Sequence, residues 1–134
     1  MPSRTEEANT PTPGDNTTSN GHGNSNLQRL SSDSRIKVLP GYRDDAASFE
    51  FLHEDHTVGN ALRYIIMKNP EVEFCGYSIP HPAEPKMNLR IQTYEGTTVW
   101  DALAKGLDDL LDLCSVVEEK FITAREEFME RMQE

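Results

Sequence analysis

The sequence is poor in cysteine, in aromatic residues and in long apolar runs. It has 134 residues and two cysteines, Cys75 and Cys114, which both fall in apolar patterns. Nothing beside them suggests secretion, so we expect free thiols that behave as small hydrophobic groups. No run approaches the ~18 apolar residues of a membrane span, and the start has no apolar segment of a signal peptide. We therefore expect a soluble, intracellular protein.

Basic charge is also scarce. The net charge is -10, and between Thr98 and Glu134 ten acidic residues stand against four basic ones. A strongly acidic chain is a poor direct ligand for phosphate backbones. We interpret these acidic residues as the solvated face of an amphipathic helix, and we expect any role near DNA or RNA to be indirect.

The first 34 residues contain almost no apolar side chains, since Leu27 and Leu30 are nearly the only ones. A segment of Ser, Thr, Asn, Gly and Pro cannot bury enough surface to offset the entropy of ordering it. We therefore predict a disordered polar tail over residues 1–34 and a folded domain over residues 35–134. A folded core of about 100 residues is marginal by itself, which favours association.

Alternating apolar residues predict four strands in the folded part. They cover residues 35–39, 48–53, 71–79 and 87–94, and the first two form a hairpin or an adjacent pair. The third strand shifts phase at Cys75-Gly76, which suggests a bulge.

A short helix follows the second strand, because apolar residues from Val58 to Ile66 recur at helical spacing. Asp55 or Thr57 supplies its N-cap, and Pro70 ends it. Gly59 lies in its first turn, where glycine costs ~1 kcal/mol against alanine. No phosphate-binding glycine pattern surrounds Gly59, so we interpret it as the point of a close approach by a neighbouring element.

The most regular pattern occupies the last third of the chain, where the steps between apolar residues alternate between three and four. It comprises Trp100, Leu103, Leu107, Leu110, Cys114, Val117, Phe121, Ala124 and Phe128. This spacing is typical of a helix that packs against another helix. Thr98 and Asp101 form a capping-box pattern at its start. Extending to about Met132, the helix would be roughly 50 Å long, whereas a domain of ~100 residues is roughly 35 Å across. A partner chain is needed to cover it.

No residue pattern indicates catalysis or metal binding. His53-Glu54-Asp55-His56 lacks the one-turn histidine spacing of a zinc helix, and no third ligand is spaced to join it. Glu54 and Asp55 are adjacent, so their side chains diverge, and a helix cap explains them better than acid–base chemistry. We expect no catalytic residue, no metal and no cofactor.

Several motifs resemble a known family. The stretch E-D-H-T-V-G-N-A-L-R at 54–63 resembles the signature of the alpha-type subunits of DNA-directed RNA polymerases. P-H-P-A-E at 80–84 and L-R-I-Q-T at 89–93 resemble the short alpha-like subunits of eukaryotes and archaea. Arg63-Tyr64, M-K-N-P at 67–70 and F-C-G-Y at 74–77 are most similar to the small alpha-like subunit common to RNA polymerases I and III.

The resemblance covers about residues 48–128 and implies an α+β fold, with an antiparallel sheet, one short helix and one long C-terminal helix in the order β-β-α-β-β-α. It implies a non-catalytic subunit of the nucleus, including the nucleolus, that pairs with the larger alpha-like subunit. The pair would form the platform on which the catalytic subunits assemble for synthesis of ribosomal RNA precursor, 5S rRNA and tRNA.

The resemblance, together with the apolar patterns, assigns a partner interface. Its residues are Val58, Gly59, Leu62, Ile65, Leu103, Leu107, Leu110, Cys114, Val117, Phe121, Ala124 and Phe128. Asn60 and Arg63 are assigned to contacts with other polymerase subunits. Bacterial alpha subunits carry a second arginine where this chain has Tyr64, so no contact of that arginine is carried over.

Two other functions stay open from the residues alone. One is the equivalent subunit of RNA polymerase II, which the Arg63-Tyr64 and F-C-G-Y details disfavour. The other is a free homodimeric regulator that uses the same seam as a coiled coil.

Overall fold

The computed structural model describes residues 35–133 together with Asn26, Gln28 and Leu30, and four strands and two helices lie within residues 35–133. In chain order they are β1 (Ile36–Val38), β2 (Ala46–Leu52), α1 (His56–Ile66), β3 (Val72–Ser78), β4 (Lys86–Thr93) and α2 (Val99–Gln133). The predicted order β-β-α-β-β-α is confirmed, and the fold class is α+β.

The strands form one antiparallel sheet in the order β1-β2-β4-β3. β1 and β2 are neighbours, as predicted, and β2 pairs with β4 from Ala46 opposite Gln92 to Leu52 opposite Lys86. β2 and β4 therefore lie in the middle of the sheet, where both of their edges are hydrogen-bonded.

The predicted position of the bulge was wrong. The register of β3 shifts between Val72 and Phe74, whereas Cys75 and Gly76 keep regular partners in β4. The phase change in the apolar pattern at Cys75 is the consequence of an extra residue placed earlier in the strand.

Both helices pack on one face of the sheet. The inward face of β4 carries Met87, Leu89, Ile91 and Thr93, which are all buried. Leu62 and Ile66 of α1 and Leu103 of α2 join the same core. The outward face of β4 is left to polar side chains, which alternate with the buried ones.

Each helix starts at the cap that the sequence predicts. Thr57 N–H donates to Asp55 Oδ1 at 2.9 Å, and this bond lowers the pKa of Asp55 below its ordinary value. At α2, Asp101 N–H donates to Thr98 Oγ1 at 3.2 Å, and the Thr98 hydroxyl donates to Asp101 Oδ2 at 2.9 Å. Asp55 and Thr98 thus satisfy backbone donors that the helix itself leaves open.

Gly59 is the point where α1 approaches the sheet most closely. A Cβ atom at this position would lie 2.6 Å from Met87 Sδ and 2.7 Å from Tyr77 Cδ2. The Tyr77 ring cannot easily move, because its hydroxyl is hydrogen-bonded to His56 Nδ1 at 2.9 Å. The predicted close approach is confirmed, and the neighbouring element is the chain's own sheet.

We expect Gly59→Ala to lower the stability of the folded chain by ~1–3 kcal/mol, because the added methyl overpacks the contact with Tyr77. Gly59→Val should be worse. Thermal unfolding of the purified subunit, alone or with its partner, measures the order. Asn60→Ala is the matched control, because it adds helix propensity on the exposed side of the same turn. A Gly59→Ala protein that melts above wild type would contradict the close-contact explanation.

Leu30 lies in the core although it belongs to the segment that we predicted to be a tail. Asn26, Gln28 and Leu30 have helical backbone, and Leu30 is only 8% exposed within the core cluster. Asn26 Nδ2 donates to Asp101 Oδ1 at 2.7 Å, which joins this segment to the first turn of α2. The folded core therefore includes a residue that lies before residue 35. The rest of the predicted tail lies outside the described residues.

Two truncations separate the docked segment from the residues before it. We expect a chain lacking residues 2–30 to melt below a chain lacking residues 2–25, because only the first loses Leu30. Burying a leucine contributes about 1.5–3 kcal/mol, and Leu30→Ala in the full chain should reproduce most of the loss. Equal melting temperatures of the two truncated chains would show that the Leu30 contact contributes nothing.

Candidate partner interface

The long helix α2 leaves the body of the protein after three turns. Apart from the exposed Lys105 and Asp108, its residues are buried or partly buried through Leu110, with Ala102, Leu103 and Gly106 packed into the core. Every described residue from Leu111 to Gln133 is exposed. The projecting part is ~35 Å long at ~1.5 Å per residue. Among the described residues, no helix combines the length and apolar content that a membrane span requires.

The base of α2 is held by a close contact with α1. Gly106 faces Ile66 so closely that a Cβ atom would collide with Ile66 Cγ1. Lys105 and Asp109, one turn apart on the solvent side, form an ion pair of 2.6 Å between Nζ and Oδ2. The contact with Ile66 brings the two helix axes together at the point where α2 begins to project.

Three of the residues that we assigned to the partner interface lie inside the chain itself. These are Gly59 and Leu62 on α1 and Leu103 on α2. All three are buried between the two helices and the sheet, so they cannot touch a partner directly. The assignment was wrong because the seam of α2 first serves the chain's own core. Their role is to fix the helices that carry the exposed residues.

Four further assigned residues stand at the margin of the core. Val58, Ile65, Leu107 and Leu110 are partly buried and pack against the core cluster. Each therefore has a side that the chain itself covers and a side that remains accessible.

The remaining assigned residues are fully available. They are Cys114, Val117, Phe121, Ala124 and Phe128, all exposed along the projecting part of α2. Val117 and Phe121 are 60% and 65% exposed. Apolar side chains of this size in an unbroken row on a soluble surface mark an interaction site.

Sequence reasoning from the seam alone missed the apolar residues beside it. Leu111, Ile122 and Met129 are exposed and lie within about 20° of one another on one flank of the seam, at ~3.6 residues per turn. Leu113 and Val116 are exposed on the other flank. A helical wheel of the sequence contains this signal. The apolar face is wider than the two positions per heptad of a simple two-helix contact.

The opposite face of α2 is acidic. Its central row consists of Asp108, Asp112, Glu119, Glu126 and Glu130. This row is turned about 180° from the seam, at ~3.6 residues per turn, so the helix presents one apolar face and one negatively charged face.

The outward side of α1 forms a second accessible surface. Asn60 and Arg63 are exposed there, and so is Tyr64. Lys68 Nζ lies 4.8 Å from the centre of the Tyr64 ring, a cation–π contact. This surface combines positive charge with an exposed aromatic ring, unlike the acidic face of α2.

No group of three or more His, Cys, Asp or Glu that could hold a metal ion is found among the described residues. Of the four residues considered for such a site, His56 is engaged with Tyr77 and Asp55 caps α1. His53 has a left-handed backbone with φ of 61° in the turn before α1.

The family described as the RNA polymerase Rpb3/Rpb11 dimerisation domain matches residues 46–120 of this chain. A relative from Schizosaccharomyces pombe, DNA-directed RNA polymerases I and III subunit RPAC2, is 61% identical over 99 residues, which cover 72% of this chain and 79% of the relative. The Saccharomyces cerevisiae subunit of the same name is 71% identical over 90 residues, which cover 65% and 63%.

This chain belongs to the small alpha-like subunits of RNA polymerases I and III. A probable RNA polymerase II subunit RPB11 from Caenorhabditis elegans is 46% identical over 80 residues, covering 60% of this chain and 66% of the relative. The crystal structure of RNA polymerase subunit L from Thermoplasma acidophilum shares the fold, with a TM-score of 0.59 and 18% identity, and covers 71% of this chain and 92% of that one.

Membership in this small alpha-like subunit family settles the kind of function. The chain is a non-catalytic polymerase subunit built on a dimerisation domain, and its location is nuclear. The F-C-G-Y motif at 74–77 and the Arg63-Tyr64 pair indicate the same family from the sequence.

The two cysteines of this small alpha-like subunit lie in different environments, one in the core and one on the projecting part of α2. Cys75 is buried and Cys114 is exposed, and both are free. Burial raises the pKa of Cys75 to about 11, so at neutral pH its sulfur remains a thiol, whereas the thiolate is the reactive form.

We expect maleimide at about pH 7 to label Cys114 and to leave Cys75 unmodified in the free folded subunit. Pairing through the α2 seam should slow the labelling of Cys114 at least tenfold, as mass spectrometry of timed samples would show. Cys114→Ser is the control that reports any reaction of Cys75. If Cys114 reacts equally fast in the free subunit and in the heterodimer, the seam is not covered at this position.

Proposed function

We propose that this chain is the subunit of RNA polymerases I and III that pairs with the larger alpha-like subunit through the projecting part of α2. The observation that carries the proposal is the apolar face from Leu111 to Met132, which lies beyond the reach of the chain's own core. Exposed apolar surface of this extent is favourable only when another molecule removes it from water.

The width of the apolar face indicates how many elements the partner contributes to the contact. A single partner helix would cover the row of Val117, Phe121 and Phe128, but would leave the flanking residues Leu111 and Ile122 in water. We therefore propose that the partner contributes two packed elements, a long helix on the seam and a second element on the flank. A partner with the fold of this chain would have both, because this fold carries a short helix beside the long one.

The pair would serve as the platform on which the catalytic subunits assemble. Support comes from the second accessible surface, where Asn60 and Arg63 on α1 point away from the core and remain free for other subunits. In this role the chain would support synthesis of ribosomal RNA precursor, 5S rRNA and tRNA, and it would be present in the nucleolus as well as in the rest of the nucleus.

A charge introduced at one seam position tests the pairing. We expect Val117→Asp to abolish capture of the larger alpha-like subunit, because pairing would bury a carboxylate without a partner, at a cost of several kcal/mol. Val117 is exposed in the free subunit, so the variant should still fold. Co-expression followed by pull-down measures capture, and circular dichroism of the isolated subunit reports folding.

Glu119→Lys is the matched control, because it changes the charge by two units in the acidic row, which is turned about 180° from the seam. It should capture the partner at the wild-type level. Full capture by Val117→Asp would refute the seam as the interface. A homodimer of this chain with no polymerase subunits, when the tagged chain is purified from cells, would instead support the free regulator.

A further inference from the structure

The face of the sheet that points away from both helices carries a groove of about 380 Å³, lined by side chains of β2, β3 and β4. We name it the outer-sheet groove, and its principal residues are Phe74, Gly76, Asn88 and Arg90. Asn88 and Arg90 alternate with the buried Leu89 along β4, so they point away from the core. The groove is therefore separated from the seam of α2 by the thickness of the sheet.

A glycine in β3 sets the position of the aromatic ring in the groove. Gly76 lies opposite Arg90 in the pairing of β3 with β4, and nothing projects from it. The ring of Phe74 lies over this position, since a Cβ atom on Gly76 would be 2.9 Å from Phe74 Cζ. Arg90 extends toward β2, where its Nη1 donates to Ser48 Oγ at 3.2 Å. The ring of Phe74 thus covers Gly76 on β3, and the guanidinium group of Arg90 lies on the other side of the groove, beside β2.

The floor of the groove contains an unused acceptor. The Oδ1 atom of Asn88 is buried and has no hydrogen-bond partner among the described residues. Nearly all buried polar groups in native proteins are hydrogen-bonded, so a buried amide oxygen without a partner calls for a donor from outside. A backbone N–H of an extended chain that runs along the groove has the right chemistry.

The charge of the groove selects the occupant. Arg90 is the charged side chain among the residues that line it, and the other lining residues are neutral. Phe74 is 46% exposed beside it. A segment that fits would place a carboxylate on Arg90, because the guanidinium fork recognises carboxylates well, and an apolar side chain against Phe74.

We infer that the outer-sheet groove binds an extended acidic segment of another polymerase subunit, one distinct from the larger alpha-like subunit that covers α2. In this arrangement a carboxylate pairs with Arg90, a backbone N–H donates to Asn88 Oδ1, and an apolar side chain lies against the exposed side of Phe74. The inference rests on the proposed function, because the occupant is supplied only by an assembled polymerase.

Site-specific photo-crosslinking in the assembled enzymes tests the inference. The probe is p-benzoylphenylalanine in place of Ser78, an exposed residue at the groove, in polymerases I and III purified through a tag on this chain. The control carries the same probe in place of Lys37, on the same face of the sheet but on β1 and outside the groove. Mass spectrometry identifies the crosslinked peptides.

We expect the Ser78 probe to yield an adduct with a segment of another subunit that contains Asp or Glu within three residues of the crosslink. Arg90→Glu and Asn88→Leu should each lower the adduct yield at least fivefold, whereas Lys37→Glu should leave it unchanged. All three variants should capture the larger alpha-like subunit at the wild-type level, which separates failure of the groove from failure of the proposed pairing.

Four results would overturn the inference: no adduct above that of the Lys37 probe, an adduct with this chain's own N-terminal residues, an adduct with the larger alpha-like subunit, or an adduct that is insensitive to Arg90→Glu. Loss of partner capture by Arg90→Glu and Asn88→Leu would likewise count against it, since it would show that these residues act on the fold.

Discussion

The structure depends on one contact, the close packing of α2 against α1 at Gly106 and Ile66. It fixes the direction in which α2 leaves the body, because Leu103 on the same helix is anchored in the core one turn earlier. A projecting helix of ~35 Å can present an ordered apolar face only when its base is rigid. The small residue at position 106 therefore matters to pairing although no partner would touch it.

The apolar row of α2 contributes first to the chain's own core and then to the proposed partner interface. Leu103 and Val117 belong to the same row of alternating three- and four-residue steps, but Leu103 is fully buried and Val117 is largely exposed. Leu107 and Leu110 lie between these environments and pack partly on the chain's own core. Folding of the chain and its proposed pairing are consequently coupled through these two leucines, because any change there alters both the core and the face offered to a partner.

The sequence predicts the elements of this fold well and the boundary of its core poorly. Period-two and period-3.6 patterns identify the strands and helices, and Asp55 and Thr98 mark the helix starts, because these signals are local. The point where α2 leaves the body is not local, since it depends on where the sheet and α1 end in space. For the same reason Gly59 and Leu62 were assigned to a partner when they face Tyr77, Met87 and Gly106, and Leu30 was assigned to a tail.

The two faces of the sheet also differ in how far the sequence predicts them. The inward residues of β4 follow from alternation, because burial on one side requires apolar side chains at every second position. The outer-sheet groove does not follow from alternation. It requires Gly76 to stand opposite Arg90 across two strands, and Phe74 to bend over the gap, which only the register decides. A glycine in a strand indicates a close approach or a gap, and the cross-strand neighbours decide which of the two it is.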